Sequence, residues 1–264
     1  NTPILATLTQ PQSVDEAGLP ARNGEPAGSN AAASSETTTG SFNYTVGDGP
    51  ATAYIDGVAV ANVGQTFTGD YGVMTITAIT GTSVSYSYTL SDNTSGDTTQ
   101  DTFSVYVKDV DGDQTPAQTI TINIVDDVPT ALDDTDSVAA GSYAAATGNV
   151  ITGVGTTSAP GGVDTVGADG ATITNIVGAN SAADNTFSVD GQLEVAGLYG
   201  TLKIDASGNY TYQRADGTPG GVSDVFTYTL TDGDGDSHPA TLTISIGDNT
   251  PILATLTQPQ SVDE

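Results

Sequence analysis

Several segments of this chain alternate β-branched or aromatic residues with polar ones at every second position. They are residues 84–90 (VSYSYTL), 103–108 (FSVYVK), 119–125 (TITINIV), 226–231 (FTYTLT) and 241–246 (TLTISI). Because successive side chains of a strand point to opposite faces, this period is typical of half-buried β-strands. No stretch of helical period competes with them, and the breaks between them are rich in Gly and Asp. The pattern predicts an all-β chain.

An exact repeat indicates how the chain is organised. Residues 1–16 (NTPILATLTQPQSVDE) recur letter for letter at 249–264. We expect a repeat unit of 248 residues followed by the first segment of the next copy, which would make the chain a slice of a tandem array. A segment duplicated during cloning is the alternative. The second copy lacks the rest of its sheet, so we expect it to be frayed or packed on a neighbouring chain.

A weaker repeat divides the unit into two halves. The segment that begins at Asp101 (DTFSVYVKDVDGDQTPAQTITINIVDDVP) aligns with the one that begins at Asp224 (DVFTYTLTDGDGDSHPATLTISIGDNTP), with Gln118 as the one inserted residue. Upstream, YGVMTI from Tyr71 matches YGTLKI from Tyr199. A chain of this length has room for two ordinary domains. We predict two related β-sandwich domains in line, at residues 1–127 and 128–248, with the first strand segment of the next copy at 249–264.

The charge balance is extreme and limits the possible partners. The chain has 32 Asp and Glu residues against four Lys and Arg residues, for a formal net charge of -28. Internal ion pairs cannot neutralise this excess, so bound divalent cations are the simplest remedy. Nucleic acid and anionic membrane are excluded as partners, because their phosphates would be repelled. There are no cysteines, and no stretch of 18 apolar residues suggests membrane insertion.

The clearest chemical signal is an acidic turn that occurs once in each half. It reads DVDGD at 109–113 and DGDGD at 232–236. Alternating carboxylates on a turn bring hard oxygens together, an arrangement that is repulsive when empty and favourable around calcium. An EF-hand is excluded because Pro116 and Pro239 forbid the exiting helix. A solvated acidic turn is the alternative, but the recurrence, each time with an acidic linker downstream, favours a metal site.

The second half carries a family resemblance. The segments GNVITG, YGTLKIDASGNYTY and DVFTYTLTDGDGDSHPATLTI, within residues 131–248, resemble the VCBS-type, cadherin-like tandem repeats of large type I secreted (repeats-in-toxin) bacterial adhesins. The match is patchy between residues 153 and 186, and the first half is similar to a diverged relative. The resemblance implies an Ig-like sandwich, calcium at domain junctions, export to the surface of a Gram-negative cell, and a role in adhesion or biofilm formation.

The Ig-like topology predicts where the ligands meet. It places the acidic turn at the pole where the chain enters each domain, so that the turn of the second domain faces the acidic linker. Asp15 and Glu16 of the first domain are expected near the same linker. The predicted calcium ligands are Glu16, Asp101, Asp109, Asp111, Asp113, Asp126, Asp127, Asp133, Asp134, Asp232, Asp234 and Asp236.

The two ends of the repeat are predicted to differ in calcium affinity. The first domain reads SVDEAG at residues 13–18, whereas the second reads SVAAG at 137–141, with alanines where the acids were. The acid pair Asp126-Asp127 also becomes Asp248-Asn249. Fewer carboxylates mean fewer ligands for a hard cation, so we expect weaker binding where the second domain meets the following copy. Compensation by Asp224 and the next acidic turn is the alternative.

These observations favour a monomeric, extracellular, calcium-binding extender repeat, whose partners are the neighbouring repeats of the same chain. Near-identical tandem copies fit an array selected for length. A glycan-binding or protein-binding adhesin module is the alternative. An enzyme is disfavoured, because the chain has one histidine, His238, and no cysteine from which to build a nucleophile and base.

Overall fold

The computed structural model describes residues 1–8, 12–22 and 24–249. The expectation for the terminal copy falls almost wholly on 250–264, outside the described residues. The predicted all-β class is confirmed, since helical structure in the described part is limited to two short 3-10 turns, Glu16–Gly18 and Ala31–Ala33. The strands are β1 Ile4–Leu5, β2 Gln12–Asp15, β3 Thr37–Thr45, β4 Ala51–Ile55, β5 Val58–Ala59, β6 Thr66–Thr68, β7 Gly72–Ile79, β8 Ser83–Leu90, β9 Gln100–Asp109, β10 Gln118–Val125, β11 Asp134–Val138, β12 Ala146–Asn149, β13 Ala171–Val177, β14 Gln192–Ala196, β15 Gly200–Asp205, β16 Asn209–Arg214, β17 Val222–Asp232 and β18 Ser237–Ile246.

The first half of the chain forms two five-stranded sheets. Their strand orders are β1-β3-β8-β7-β6 and β2-β10-β9-β4-β5. The period-two pattern buries one face of each strand, as in β8, where Val84, Tyr86, Tyr88 and Leu90 are all at most 2% exposed. Inward-facing residues of both sheets, Phe103 of β9 among them, belong to one hydrophobic core. The two sheets therefore make a β-sandwich.

The second half repeats this plan with fewer strands. Its two four-stranded sheets have the orders β11-β18-β17-β13 and β12-β16-β15-β14. Tyr210 and Tyr212 of β16 are buried on one sheet, and Phe226 and Tyr228 of β17 are buried on the other. All five segments of period-two sequence thus lie within observed strands, since β17 and β18 also contain the predicted segments at 226–231 and 241–246.

In the first sandwich β2 and β10 pair in parallel, so both strands end at the same edge of their sheet. β2 runs parallel to β10, with Val14 opposite Ile124 and Asp15 opposite Val125. The residues that follow, Glu16 and Asp126, therefore leave the sheet side by side. β11 and β18 pair in the same parallel sense in the second half.

The described chain packs into two compact units that do not follow the two halves strictly. The first unit contains residues 1–131 together with 164–173 and 229–239, and the second contains 132–163, 174–228 and 240–249. The acidic turn at 232–236 and the loop before β13 consequently belong to the same unit as Glu16 and Asp126.

Candidate metal centre

Six carboxylates of the first unit converge. Asp126, Asp232, Asp234 and Asp236 each offer an oxygen within 4.8 Å of the others, and Asp126 forms a second such group with Glu16 and Asp169. Asp126 is common to both groups. We call these residues the acidic cluster: Glu16, Asp126, Asp169, Asp232, Asp234 and Asp236.

The ends of the parallel strands β2 and β10 place Glu16 and Asp126 in the acidic cluster. Asp15 Oδ1 accepts a hydrogen bond of 2.8 Å from Ala17 N, which turns the chain into the 3-10 segment directly after β2. Glu16 is then fully buried, and its Oε1 accepts a 2.7 Å hydrogen bond from Thr94 N. The parallel register of β2 with β10 places Asp126 beside it.

The turn between β17 and β18 supplies three more carboxylates. Asp232 Oδ1 accepts hydrogen bonds from the backbone nitrogens of Gly235 (3.0 Å) and Asp236 (2.8 Å). Gly235 has φ 115, a backbone conformation that favours glycine over any residue with a side chain. The turn is thus held by its own backbone and by one oxygen of Asp232, which leaves the other oxygens of the turn for a ligand.

Several oxygens of the cluster are buried without a partner. In the described part of the chain, Glu16 Oε2, Asp126 Oδ2, Asp232 Oδ2 and both oxygens of Asp234 lack a hydrogen bond. A buried charged oxygen without a partner costs free energy, whereas a bound hard cation satisfies several such oxygens at once. The arrangement fits a cation better than it fits an empty structural motif.

The electrostatics of the cluster point the same way. Burial is the main reason that the pKa of Glu16 rises to about 7, and the charges of Asp169 and Asp234 add to it. Burial followed by the charge of Asp234 also raises the pKa of Asp126 to about 7. The pKa of Asp232 rises to about 6, first because of burial and then because of the neighbouring Asp234 side chain. Each shift means that the negative form lacks compensating positive charge.

Neighbouring polar groups orient part of the site. Asn93 Nδ2 donates a short hydrogen bond to Asp169 Oδ1, and Arg22 Nη2 donates to the carbonyl of Ala168 at 2.9 Å. Asp127 points elsewhere, since its two oxygens accept hydrogen bonds from the backbone and hydroxyl of Ser29. The predicted ligand Asp127 therefore belongs to none of the groups of acids, among the described residues, whose oxygens lie close enough together to share a metal ion.

Three other predicted ligands are also outside these groups, because other donors occupy them. Asp101 accepts hydrogen bonds from the backbone nitrogens of residues 70–72 and from Tyr88 Oη at 2.6 Å. Asp133 Oδ1 accepts from the backbone and hydroxyl of Thr241, both at 2.8 Å. Asp134 is buried and accepts from Ser158 Oγ at 2.6 Å, and burial raises its pKa to about 6.

The remaining predicted ligands form a separate group. Asp109, Asp111 and Asp113 each offer an oxygen within 4.8 Å of the others. Of the acidic cluster, sequence analysis missed only Asp169. Its signal was the turn Gly167-Ala168-Asp169-Gly170, which lies in the stretch where the family resemblance is patchy.

His238 has a structural partner. Its Nδ1 accepts a hydrogen bond of 3.2 Å from the backbone nitrogen of Ala131. No helix in the described part of the chain is long and apolar enough to cross a membrane.

Comparison with known proteins identifies the fold of the second half. Residues 126–245 match the family model described as "Bacterial Ig domain". This stretch is similar to bacterial Ig domains. The Ig-like part of the fold prediction is thereby confirmed, and the range takes in the linker at Asp126 together with the acidic turn. No curated protein matches the chain.

Solved structures of low identity also align over most of the chain. The titin domains z1z2, solved in complex with telethonin, are 14% identical, with 95% of this chain and 98% of that chain covered and a TM-score of 0.43. The D00-D0 domain of intimin is 12% identical, with 92% and 98% covered and a TM-score of 0.30. Drosophila N-cadherin EC1-3 is 13% identical, with 94% and 68% covered and a TM-score of 0.29. At TM-scores this low, none of the three carries an argument about function.

Proposed function

We propose that the chain is a calcium-stiffened extender repeat of a giant bacterial adhesin, exported by type I secretion to the surface of a Gram-negative cell. In this role it projects ligand-binding domains from the cell for adhesion and biofilm formation. The exact recurrence of residues 1–16 at 249–264 supports a tandem array, and the match of 126–245 to a bacterial Ig domain supports an extender module. The acidic cluster is the observation that carries the calcium part of the proposal.

The donor set of the cluster selects the kind of ion. All six members are carboxylates, the hard ligands that calcium prefers, and the chain contains no cysteine for a softer metal. Calcium takes about six to eight oxygens in flexible geometry, whereas magnesium demands an octahedral arrangement and keeps several waters. A cluster with at least five partnerless oxygens on Glu16, Asp126, Asp232 and Asp234 suits the larger ion.

The residues of the cluster come from distant parts of the sequence. Glu16 follows β2, Asp126 follows β10, Asp169 precedes β13, and the acidic turn joins β17 to β18. Shared ligation of one or more ions ties these segments of the first unit together. A bound ion also offsets the burial and the like charges that raise the pKa values of Glu16 and Asp126, so calcium stabilises this arrangement of the segments.

Asp234 offers the cleanest test of the proposal, because both of its oxygens are buried and without a hydrogen bond. Asp234→Asn removes a charged ligand without removing any contact that holds the turn. In isothermal titration of the full 264-residue chain with calcium, we expect Asp234→Asn to weaken the tightest binding at least about tenfold.

Asp190→Asn is the matched control, since it makes the same chemical change at an exposed residue outside the cluster. It should leave the calcium affinity unchanged. Magnesium at equal concentration should bind more weakly than calcium. The proposal is wrong if the unmodified chain takes up no calcium at millimolar concentration, or if both variants bind as it does.

A further inference from the structure

The strands β8 of the first half and β16 of the second half end at corresponding positions. After β8, the backbone nitrogen of Ser91 donates a hydrogen bond of 2.9 Å to the carbonyl of Tyr71. After β16, the backbone nitrogen of Ala215 donates one of 2.8 Å to the carbonyl of Tyr199. Tyr71 and Tyr199 belong to the matching Tyr-Gly pairs of the two halves. The last residue of β8 therefore corresponds to the last residue of β16.

These last residues are Leu90 and Arg214, and both are buried, with 2% and 5% of their surface exposed. A buried leucine needs no polar partner, whereas a buried guanidinium costs free energy unless hydrogen bonds and charge compensate it. In the described part of the chain, no carboxylate lies within ion-pair distance of Arg214. Neutral groups must therefore satisfy this side chain.

The Arg214 guanidinium holds two loops together. Its Nε donates a hydrogen bond of 2.9 Å to Thr218 Oγ1, and its Nη2 donates one of 2.5 Å to the carbonyl of Thr218, in the loop 215–221 that follows β16. Its Nη1 donates at 3.3 Å to the carbonyl of Ser142, in the loop 139–145 that follows β11. One side chain thus joins two loops that are distant in sequence.

The surroundings of Arg214 suit a positive charge. The ring of Tyr143, next to Ser142, has its centroid 4.8 Å from the Arg214 Cζ atom, and aromatic faces attract cations. In a chain with a net charge of -28, the surrounding field also favours burial of a positive group over burial of a negative one. The guanidinium is therefore stabilised without an acidic partner.

The first half holds the corresponding loop with the opposite charge. The loop 91–99 follows β8, and the backbone nitrogen of Thr94 donates a hydrogen bond of 2.7 Å to Oε1 of Glu16, which follows β2. Thr94 lies four residues after the end of β8, and Thr218 lies four residues after the end of β16. The other oxygen of Glu16 is buried without a partner, so a cation from solution has to compensate this link.

The parallel pairings show that the second half has no acid at the position of Glu16. Val14 of β2 corresponds to Val138 of β11, because each faces an isoleucine of its parallel partner strand. Two residues further along the chain, Glu16 in the first half corresponds to Ala140 in the second. The second half has thus lost the buried acid and has gained Arg214.

We propose that Arg214 is an internal cation that holds the loops 139–145 and 215–221 together without a metal ion. A guanidinium brings its own positive charge and five N–H donors, so it needs only acceptors that the chain already supplies. These two loops should therefore keep their arrangement in calcium-free solution, whereas the loop 91–99 should loosen. The role of Arg214 goes beyond the function proposed for the acidic cluster, and only the contrast with the loop 91–99 rests on that function.

Hydrogen–deuterium exchange of the full 264-residue chain, measured by mass spectrometry, tests the contrast. Peptides that cover 215–221 should exchange at the same rate in millimolar calcium and in excess chelator. Peptides that cover 91–99 should exchange at least about tenfold faster in chelator. The inference is overturned if chelator accelerates both loops to the same extent. A chain in which neither loop responds and that binds no calcium would instead refute the function proposed for the acidic cluster, while substitutions at Arg214 still decide its own role.

Two substitutions test that role directly. Arg214→Leu installs the residue that the first half has at this position, so it removes the hydrogen bonds and keeps an apolar side chain. The loop 215–221 should then exchange at least about tenfold faster, in calcium and in chelator alike. Arg214→Lys keeps the charge but lacks the fork that reaches both Thr218 and Ser142, so it should accelerate this loop by a smaller factor.

Lys203→Leu is the matched control, because it removes the same charge from a half-exposed side chain that is paired with Glu194 at 3.0 Å. It should leave the exchange of the loop 215–221 unchanged. Unchanged circular dichroism and unchanged exchange in β17 would show that each variant is folded, and Arg214→Lys carries the test if Arg214→Leu does not fold. The inference is wrong if both Arg214 variants exchange as the unmodified chain does. It is also wrong if Arg214→Leu accelerates the loop in chelator but not in calcium, since calcium would then hold the loop.

Discussion

At the scale of single residues, Asp101 and Asp224 have matching roles in the two halves of the chain. Asp224 accepts hydrogen bonds from the backbone nitrogens of Leu198 and Tyr199 and from Tyr212 Oη at 2.7 Å. Asp101 does the same with residues 70–72 and Tyr88. Both aspartates are 1% exposed. Each therefore anchors a loop from inside the sandwich. This role explains why an acid recurs at this position, although it belongs to none of the groups of acids that could share a metal ion.

This motif predicts a stability cost for a single lost oxygen. Tyr212→Phe removes the hydroxyl that donates to buried Asp224 while it keeps the aromatic ring in the core. Loss of a hydrogen bond to a charged buried group should lower the free energy of unfolding by about 1–3 kcal/mol. Urea unfolding of this variant and of the unmodified chain measures the difference in the free energy of unfolding. Tyr199→Phe removes a hydroxyl from the same loop and should change stability by less than about 0.5 kcal/mol. Equal midpoints for the two variants would contradict this assignment.

At the scale of secondary-structure elements, the start of β7 tolerates no side chain. A Cβ atom at Gly72 would lie 2.3 Å from Tyr88 Oη and 2.5 Å from the carbonyl oxygen of Thr89 on the neighbouring strand. Gly72→Ala should therefore destabilise the first sandwich by about 1–3 kcal/mol through overpacking. Gly81, in the turn after β7, has open space and serves as the control, so Gly81→Ala should be near neutral. Thermal melting of both variants measures the two effects. Similar melting temperatures would contradict the close approach of Tyr88 and Thr89 to Gly72.

The long strands could be predicted from sequence, and several short ones could not. β8, β9, β10, β17 and β18 each carry at least three alternations of buried and exposed residues, which fix their period. Strands of two or three residues, such as β1, β5 and β6, are too short to show a period. Their pairing depends on neighbours that the local sequence does not reveal.

Some residues of the candidate site could likewise be predicted from sequence, whereas others could not. The acidic turns and the linker acid Asp126 were predictable because alternating aspartates on a turn have few other uses. Asp101 could not be distinguished from them, because its role depends on amides about 30 residues earlier in the chain. The repeated tyrosines at 88 and 212 and the repeated Tyr-Gly pairs at 71 and 199 were the missed signal. Asp169 was missed because one aspartate in a glycine turn is ordinary turn chemistry.

At the scale of the whole molecule, the net charge of -28 leads us to predict that stability depends on bound cations. In calcium-free solution the acidic cluster retains buried oxygens without partners, and its like charges repel. A ligand that binds only the folded state stabilises it by mass action, by about 2.7 kcal/mol at a concentration one hundred times its Kd. Excess chelator should therefore lower the melting temperature of the full chain by several degrees, and added calcium should restore it.

Asp234→Asn, which weakens the cluster without removing a structural contact, should shrink this calcium-dependent shift, whereas Asp190→Asn should leave it intact. Ionic strength has to be matched with monovalent salt, because screening alone also relieves repulsion among surface carboxylates. A melting temperature that is the same in chelator and in millimolar calcium would mean that the cluster stays empty in solution, and that the fold withstands its charge by screening alone.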